Sequence, residues 1–223
     1  MQCKVFQFLN RSEVEQVVAS LSHEQFVDGR GTAFGGTRQV KNNLQIDRAA
    51  PGLTDRDRLI MSAFRRNEDF QKFALPRHIL LPSFSRYDTG MTYGSHVDCA
   101  LMGNMQEPVR TDLATTLFLS DPASYDGGEL VIELPLGEQE IKLDAGEAIV
   151  YPATTLHRVE PVTSGVRLAA ITWIQSTVQD ERMRAVLADL SGAIRRAEQT
   201  EDRELIATLN KSYHNLLRYS VHT

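Results

Sequence analysis

The chain has 223 residues, of which 42% are hydrophobic, so it can form one principal domain with a sizeable core. Its formal net charge of -5 is mild and both signs are spread along the sequence, which argues against a nucleic-acid partner. No signal peptide, membrane-length apolar run or pairing pattern for Cys3 and Cys99 is visible, so we expect a soluble, cytoplasmic protein in a reducing compartment with no membrane partner.

Residues 1–77 are predicted to form an N-terminal helical flank that packs on the core. Ser12 begins a capping-box spacing, and apolar residues recur at helical period over 14–21, which predicts a first amphipathic helix. The glycine-rich stretch 28–36 predicts an irregular crossing. A second helix is predicted over about 54–73.

Residues 78–177 are predicted to form the catalytic domain, because short apolar or β-branched runs now replace the helical pattern. The clearest of these predicted strands are 79–81, 115–119, 130–134, 148–151 and 166–174. Glycine-containing turns separate them, a spacing typical of a jelly roll or another antiparallel β architecture. The predicted fold is therefore mainly β with flanking helices.

Residues 178–223 are predicted to form a C-terminal helical segment. Apolar residues from Met183 to Ile194 form one stripe, and a second helix with an apolar face follows, with Thr200 as its expected N-cap. We expect these apolar faces to pack on the β domain or on a second copy of the chain, so a homo-oligomer formed through the terminal helices stays open.

The most informative feature is the pair His96 and Asp98, followed downstream by His157. Side chains two apart on a strand project to the same side, so His96 and Asp98 could hold one metal ion together. His157 would complete a 2-His-1-carboxylate site, an arrangement that leaves open positions on non-haem Fe(II). Each motif alone is weak, because His-x-Asp arises by accident and a lone histidine is more often structural.

Arg167 begins the last predicted strand, in which both alternating faces are largely apolar. An arginine that faces inward needs an anionic partner, because burying an unpaired guanidinium is costly. Arg167 could pair with a local carboxylate such as Glu160 or lie at the exposed rim. Alternatively, its planar fork could bind the carboxylate of a dicarboxylate co-substrate.

Four sequence elements occur in order: Tyr-Asp-Thr-Gly-Met-Thr-Tyr-Gly-Ser-His-Val-Asp at 87–98, Asp-Gly-Gly-Glu-Leu at 126–130, Leu-His-Arg-Val at 156–159, and Arg167. Together they resemble the Fe(II)- and 2-oxoglutarate-dependent dioxygenases, and among these the PKHD-type hydroxylases, a branch related to prolyl 4-hydroxylases. Bacterial members of this branch are linked to iron uptake. The stretch Lys-Asn-Asn-Leu-Gln at 41–45 is also similar to theirs.

The resemblance implies a double-stranded β-helix in which His96, Asp98 and His157 bind Fe(II). It also implies that Arg167 binds the distal carboxylate of 2-oxoglutarate. Dioxygen would be the second co-substrate, ascorbate the reductant, and succinate and carbon dioxide the by-products. The expected reaction is hydroxylation of an unactivated C–H bond in a peptidyl or amino-acid-like substrate, with no catalytic side chain beyond the metal centre.

A second anchor for the co-substrate carboxylate is harder to assign. Related prolyl hydroxylases often carry a tyrosine on the strand after the metal pair, whereas residues 115–118 here read Thr-Thr-Leu-Phe. Tyr87 is a candidate for orienting 2-oxoglutarate, but its ring could equally belong to the core.

Two other functions use the same residues. A zinc hydrolase would place water on the open metal position, but the sequence has no H-E-x-x-H pattern and Arg167 would have no role in such an enzyme. A non-catalytic metal-binding β-barrel would serve as a sensor or interaction module. The complete set of candidate ligands and Arg167 argue against that alternative.

Overall fold

The computed structural model describes residues 3–33, 35–47, 53–104 and 106–221. The helices are α1 Arg11–Leu21, α2 Thr37–Val40, α3 Asp55–Arg66, α4 Glu68–Ala74, α5 Glu181–Thr200 and α6 Arg203–Ser220. The first nine strands are β1 Lys4–Gln7, β2 Phe26–Asp28, β3 Lys41–Asn42, β4 Leu44–Ile46, β5 Pro76–Ile79, β6 Ser83–Tyr87, β7 Thr92–His96, β8 Leu101–Asn104 and β9 Glu107–Arg110. The remaining strands are β10 Leu113–Phe118, β11 Tyr125–Gly127, β12 Leu130–Leu134, β13 Gly137–Ile141, β14 Glu147–Pro152, β15 His157–Val159, β16 Val162–Gly165 and β17 Arg167–Ser176.

Two antiparallel sheets form a jelly roll. The larger sheet has the strand order β1-β14-β10-β17-β6-β4-β2, with β5 also paired to β17, and the smaller has the order β13-β12-β15-β7-β3. Side chains from both sheets meet in one apolar cluster, including Phe118 and Ile149 from the larger sheet and Ile132 and Val159 from the smaller. The mainly β fold with flanking helices is thus as predicted, and strands from the N-terminal flank extend both sheets.

A second apolar cluster covers the outer face of the larger sheet, where α1, α3 and α4 pack. It is rich in phenylalanine: the Phe8 and Phe64 ring centroids lie 4.3 Å apart, and Phe70 lies 5.2 Å from both. β17 separates the two clusters, because alternate side chains of a strand point to opposite faces. Ala170 and Ile174 join the outer cluster, as the predicted alternation requires.

The first helix begins earlier than predicted. The Asn10 side chain accepts a hydrogen bond from the backbone N–H of Glu13, and the Glu13 carboxylate accepts one from the backbone N–H of Asn10. This reciprocal pair is a capping box. The predicted box at Ser12 is wrong because Asn10 has the extended backbone of an N-cap, whereas Ser12 already lies within the helix.

The predicted single helix over 54–73 is two helices, although Thr54 is an N-cap, as its hydroxyl accepts from the backbone N–H of Asp57. Asn67 leaves the helical conformation with φ -81° and ψ 96°. Its side chain caps α4 by accepting from the backbone N–H of Phe70 at 2.9 Å. The cap at Asn67 therefore divides the predicted helix in two.

The C-terminal helices α5 and α6 pack against each other, and α5 also packs on α4. The predicted N-cap Thr200 is wrong: it is the last residue of α5, and Asp202 caps α6 by accepting from the Leu205 N–H at 3.0 Å. Apolar side chains of α6 remain half-buried or exposed, and Leu205 is 44% exposed. None of the described helices is both long and apolar enough to cross a bilayer.

Candidate metal centre

Two adjacent strands of the smaller sheet bring His96 and His157 together. His96 ends β7, His157 begins β15, and the two residues are cross-strand partners with ring centroids 4.2 Å apart. Asp98 follows β7, and its Oδ1 lies 3.9 Å from His157 Nε2. One potential ligand atom from each residue lies within 4.8 Å of the other two. The structure therefore brings the three predicted ligands together.

Backbone carbonyls orient both imidazoles. His96 Nδ1 donates to the Gly94 carbonyl at 2.8 Å, and His157 Nδ1 donates to the Thr155 carbonyl at 3.0 Å. A carbonyl can only accept, so the proton must sit on Nδ1, and Nε2 is left with the lone pair that a metal ion needs. Burial lowers the pKa of His96 to about 3, which keeps this ring neutral at ordinary pH.

Asp98 is a buried carboxylate that lacks the donors it would normally require. Burial raises its pKa, and the neighbouring His157 ring and the indole N–H of Trp173 oppose that effect. Its Oδ2 is buried without a hydrogen-bond partner of normal geometry in the described part of the chain. A divalent cation would satisfy this oxygen, and two imidazoles with one carboxylate fit Fe(II).

Arg167 lies inside the jelly roll with its side chain almost fully buried. The residue is 1% exposed, and its Nε and Nη2 are buried with no hydrogen-bond partner of normal geometry among the described residues. The guanidinium packs between the rings of Tyr87 and Phe118, 5.2 Å from each centroid. Glu160, the local carboxylate considered from the sequence, instead pairs with Arg158 at 2.6 Å. An anionic ligand is the partner that Arg167 lacks.

Gly128, in the Asp-Gly-Gly-Glu element, leaves room for Arg167. Its φ is +67°, and a Cβ atom there would lie 3.0 Å from Arg167 Cδ and 2.9 Å from Val162 Cγ2. Glycine is favoured at this position both because it tolerates the left-handed backbone and because it has no side chain.

Three buried tyrosines surround the arginine. Tyr87 is 2% exposed and stands opposite Arg167 in the β6–β17 register, so it belongs to the core and also faces the cavity. Burial raises the pKa of Tyr87, Tyr125 and Tyr151, and all three hydroxyls therefore remain donors. Sequence reasoning missed Tyr125 and Tyr151, although Tyr125 directly precedes the Asp-Gly-Gly-Glu element.

One cavity of about 510 Å³ connects the histidine–aspartate cluster with Arg167. Such a volume is typical of small-molecule sites. The β8–β9 hairpin contributes Leu101 and Met102 to its wall, and β3 and β4 contribute Lys41 and Gln45. Residues 41–45 are similar to those of the bacterial hydroxylases, but no residue of β3 or β4 was predicted to line the site. Burial lowers the pKa of Lys41 to about 8.

Comparison with known proteins identifies the family of the chain. The model of the 2OG-Fe(II) oxygenase superfamily matches residues 82–175. A PKHD-type hydroxylase of Cupriavidus metallidurans is 44% identical and covers 98% of both chains.

Solved structures share the fold at lower identity. A Pseudomonas putida prolyl-4-hydroxylase has a TM-score of 0.53 and 21% identity, covering 78% of this chain and 92% of its own. A Trichoplax adhaerens prolyl hydroxylase was solved with a hypoxia inducible factor oxygen degradation domain peptide fragment. It has a TM-score of 0.58 and 15% identity, and the match covers 82% of this chain and 86% of that chain. The match along almost the whole chain establishes the family: this protein belongs to the PKHD-type hydroxylases of the 2OG-Fe(II) oxygenase superfamily.

Proposed function

We propose that this oxygenase hydroxylates an unactivated C–H bond of a peptidyl or amino-acid-like substrate, converting 2-oxoglutarate to succinate and carbon dioxide. Membership of the family implies Fe(II), 2-oxoglutarate and dioxygen. The observation that carries the assignment of individual residues is the buried guanidinium of Arg167 in the same cavity as the metal-ligand cluster, with no carboxylate paired to it among the described residues and with Nε and Nη2 lacking hydrogen bonds of normal geometry.

In this proposal His96, Asp98 and His157 hold the iron. When bound there, Fe(II) supplies dioxygen activation and the oxidative decarboxylation of 2-oxoglutarate. The protein groups around the iron orient the ligands and exclude water. The Gly94 and Thr155 carbonyls keep each histidine Nε2 free, and the burial of Asp98 keeps competing water from its oxygens.

Arg167 binds the distal carboxylate of 2-oxoglutarate with Nε and Nη2, which form one edge of its planar fork. The flanking rings of Tyr87 and Phe118 exclude water and so strengthen this ion pair. Tyr87 is the proposed second anchor, since its buried hydroxyl remains a donor. Tyr125 is a further candidate, because its buried hydroxyl interacts with Arg167 and has no hydrogen bond of normal geometry in the described part of the chain.

Support for a peptidyl or amino-acid-like substrate comes from the size of the cavity and from the fold. The Trichoplax adhaerens relative of this fold was solved with a peptide fragment. Ascorbate is the proposed reductant that restores Fe(II) after turnover without substrate. We also propose that the protein acts in the cytoplasm without a nucleic-acid partner, where its two thiols stay reduced, and that the terminal helices can join two copies.

The substrate class is tested by screening short peptides and free amino acids for stimulation of succinate release by the Fe(II)-loaded protein. We expect particular compounds to raise succinate formation, with equimolar hydroxylated product. Replacement of Fe(II) by Zn(II) should abolish the reaction, since zinc has no redox chemistry. Turnover with zinc would favour the hydrolase alternative, and a complete lack of succinate with Fe(II) would favour the non-catalytic one.

A further inference from the structure

A second buried cation lines the cavity. Lys41 is 6% exposed, its Nζ lies 2.8 Å from Thr32 Oγ1, and it stands 5.1 Å from the centroid of the Tyr93 ring. No carboxylate forms an ion pair with Lys41 in the part of the chain that the structure describes. The charges of Asp98 and Asp28 both act on Lys41 without an ion pair; Asp98 belongs to the proposed metal ligands, and Asp28 is already held by Arg30 at 2.8 Å. The ammonium group is therefore buried without a carboxylate of its own.

The fold places Lys41 beside the metal-ligand cluster. β3 is the edge strand of the smaller sheet, and Lys41 is the cross-strand partner of Tyr93 on β7. The Tyr93 ring stacks on the His96 ring at 3.6 Å, with 17° between their planes. Arg167, by contrast, lies on β17 in the larger sheet. The two cations thus enter the cavity from different sheets, and Lys41 is one ring away from a proposed iron ligand.

Polar neighbours fix the position of Lys41. The Thr32 hydroxyl that accepts from Lys41 donates to Gln45 Oε1 at 2.5 Å, and Gln45 Nε2 donates to Ser85 Oγ at 3.3 Å. Close by, Asn43 also faces the cavity. Both polar atoms of its side-chain amide are buried without a hydrogen-bond partner of normal geometry among the described residues. The Tyr87 hydroxyl also interacts with this amide, so the wall offers a held cation and an amide whose hydrogen bonds within the protein are incomplete.

The formal charges indicate what Lys41 binds, given the proposed function. The formal charges of four groups in the site sum to zero: the doubly positive iron, the negative Asp98, the positive Arg167 and the doubly negative 2-oxoglutarate. Lys41 would then remain as an uncompensated charge inside the protein, which is costly. A further negative group must enter with the remaining ligand, the substrate that is hydroxylated.

We propose that Lys41 and Asn43 bind a carboxylate of the prime substrate. The ammonium would neutralise the carboxylate, and the Asn43 amide would donate a second hydrogen bond. The substrate would accordingly be an acid. It would be either an amino acid or peptide end bound by its α-carboxylate, or a peptide bound by an aspartate or glutamate side chain.

The test measures binding rather than turnover. Protein loaded with Ni(II) in place of iron and saturated with 2-oxoglutarate is titrated calorimetrically with Nα-acetyl amino acids and with their carboxamides. The carboxamides of Nα-acetyl-aspartate and Nα-acetyl-glutamate retain only the side-chain acid and so distinguish the two sources. We expect at least one acid to bind about 10-fold or more tightly than its neutral partner, as a charge-assisted hydrogen bond provides.

Lys41→Met should remove that preference, because it keeps an apolar stem against Tyr93 without the charge, and Lys41→Arg should restore part of it. Lys4→Met is the matched control, since Lys4 also lies on an edge strand, 5.1 Å from the Phe6 ring, but outside the cavity. Urea unfolding of each variant identifies any that fails to fold. If Lys41→Met does not fold, the preference for the acid is compared between Lys41→Arg and Lys4→Met instead.

The outcomes separate this inference from the proposed function. Failure of the unaltered protein to bind 2-oxoglutarate overturns the proposed function and the inference with it. Normal 2-oxoglutarate binding with no preference for any acid, or with a preference that Lys41→Met retains, overturns the inference alone. Weaker 2-oxoglutarate binding in Lys41→Met would also overturn it, because Lys41 would then be an anchor for the co-substrate.

Discussion

The two faces of β17 differ in whether folding alone satisfies them. On the outer face, Ala170 and Ile174 pack with the aromatic side chains of α3 and α4 in a continuous apolar cluster. On the inner face, Arg167 Nε and Nη2 and the Trp173 indole N–H are buried without a hydrogen-bond partner of normal geometry in the described part of the chain. The outer face is complete in the folded protein, whereas the inner face needs ligands to complete it.

The outer face of β17 therefore contributes mainly to stability, and its inner face mainly to ligand binding. Substitutions in the outer cluster should reduce the free energy of unfolding and leave ligand affinity of the folded protein unchanged. Substitutions on the inner side should have the opposite profile, because unpaired buried polar groups contribute little to stability and much to binding.

The largest expected effect is that of His157→Ala, a substitution in the cavity that the inner face of β17 lines. Loss of one of three proposed ligands should weaken Fe(II) binding by more than about 100-fold, beyond what changes around metal ligands usually cost. Succinate formation should fall to background. Metal content after dialysis and a succinate assay measure the two effects. Retention of full iron affinity by a folded variant would remove His157 from the site.

Phe64→Ala tests the outer cluster. The residue is 1% exposed and packs 4.3 Å from the Phe8 ring, so truncation should cost about 3–5 kcal/mol of unfolding free energy in urea. The affinity of the remaining folded protein for 2-oxoglutarate should not change. Tyr219→Ala is the control, since Tyr219 is 82% exposed and its loss should fall within about 0.5 kcal/mol. A large change in 2-oxoglutarate affinity for Phe64→Ala would contradict the separation.

Arg167→Met should spare iron and weaken 2-oxoglutarate binding by about 2–4 kcal/mol, the usual cost of removing one partner of a buried charge pair. The ligand-free variant should be at least as stable as the unaltered protein, because an unpaired buried cation is removed. Calorimetric titration and thermal unfolding measure both quantities. Arg195→Met is the surface control, since Arg195 pairs with Asp69 at 2.6 Å and its side chain is half exposed. Unchanged 2-oxoglutarate affinity would reject Arg167 as the anchor.

Gly128→Ala should have the smallest effect. A methyl group in the left-handed backbone, 3.0 Å from Arg167 Cδ, should reduce stability by about 1–2 kcal/mol. It should also weaken 2-oxoglutarate binding modestly by displacing the guanidinium. Gly31→Ala is the control, because no atom of a described residue other than its own chain neighbours lies within 4 Å of its added Cβ. Equal behaviour of the two variants in thermal unfolding and 2-oxoglutarate titration would show that Gly128 does not shape the site.

Local rules predicted the parts of the fold that depend on a few neighbouring residues. The alternation along β17 and the start of a helix near Thr54 follow from strand geometry and helix-start signals alone. The break at Asn67 was not predicted: asparagine favours caps over helix interiors, but the predicted helix was extended through it to Phe73. Nor could Asp202 be chosen over Thr200 as the cap of α6, since both can accept the required hydrogen bond and tertiary packing decides.

The candidate site, like the fold, could be predicted from the sequence only in part. Its proposed metal ligands and Arg167 occur in motifs whose order is visible in the sequence. Lys41 and Asn43 were missed because their place in the cavity depends on the pairing of β3 with β7, some fifty residues away in the chain. A two-residue strand carries no hydrophobic alternation that could have indicated this pairing.

An anaerobic titration of the Fe(II)-loaded protein with 2-oxoglutarate tests most directly whether the metal-ligand cluster and Arg167 form one co-substrate site. A metal-to-ligand charge-transfer band should appear in the visible spectrum and saturate. In Arg167→Met the same band should require much higher 2-oxoglutarate, and in His157→Ala it should be absent. A folded, iron-loaded protein that shows no such band would contradict the account.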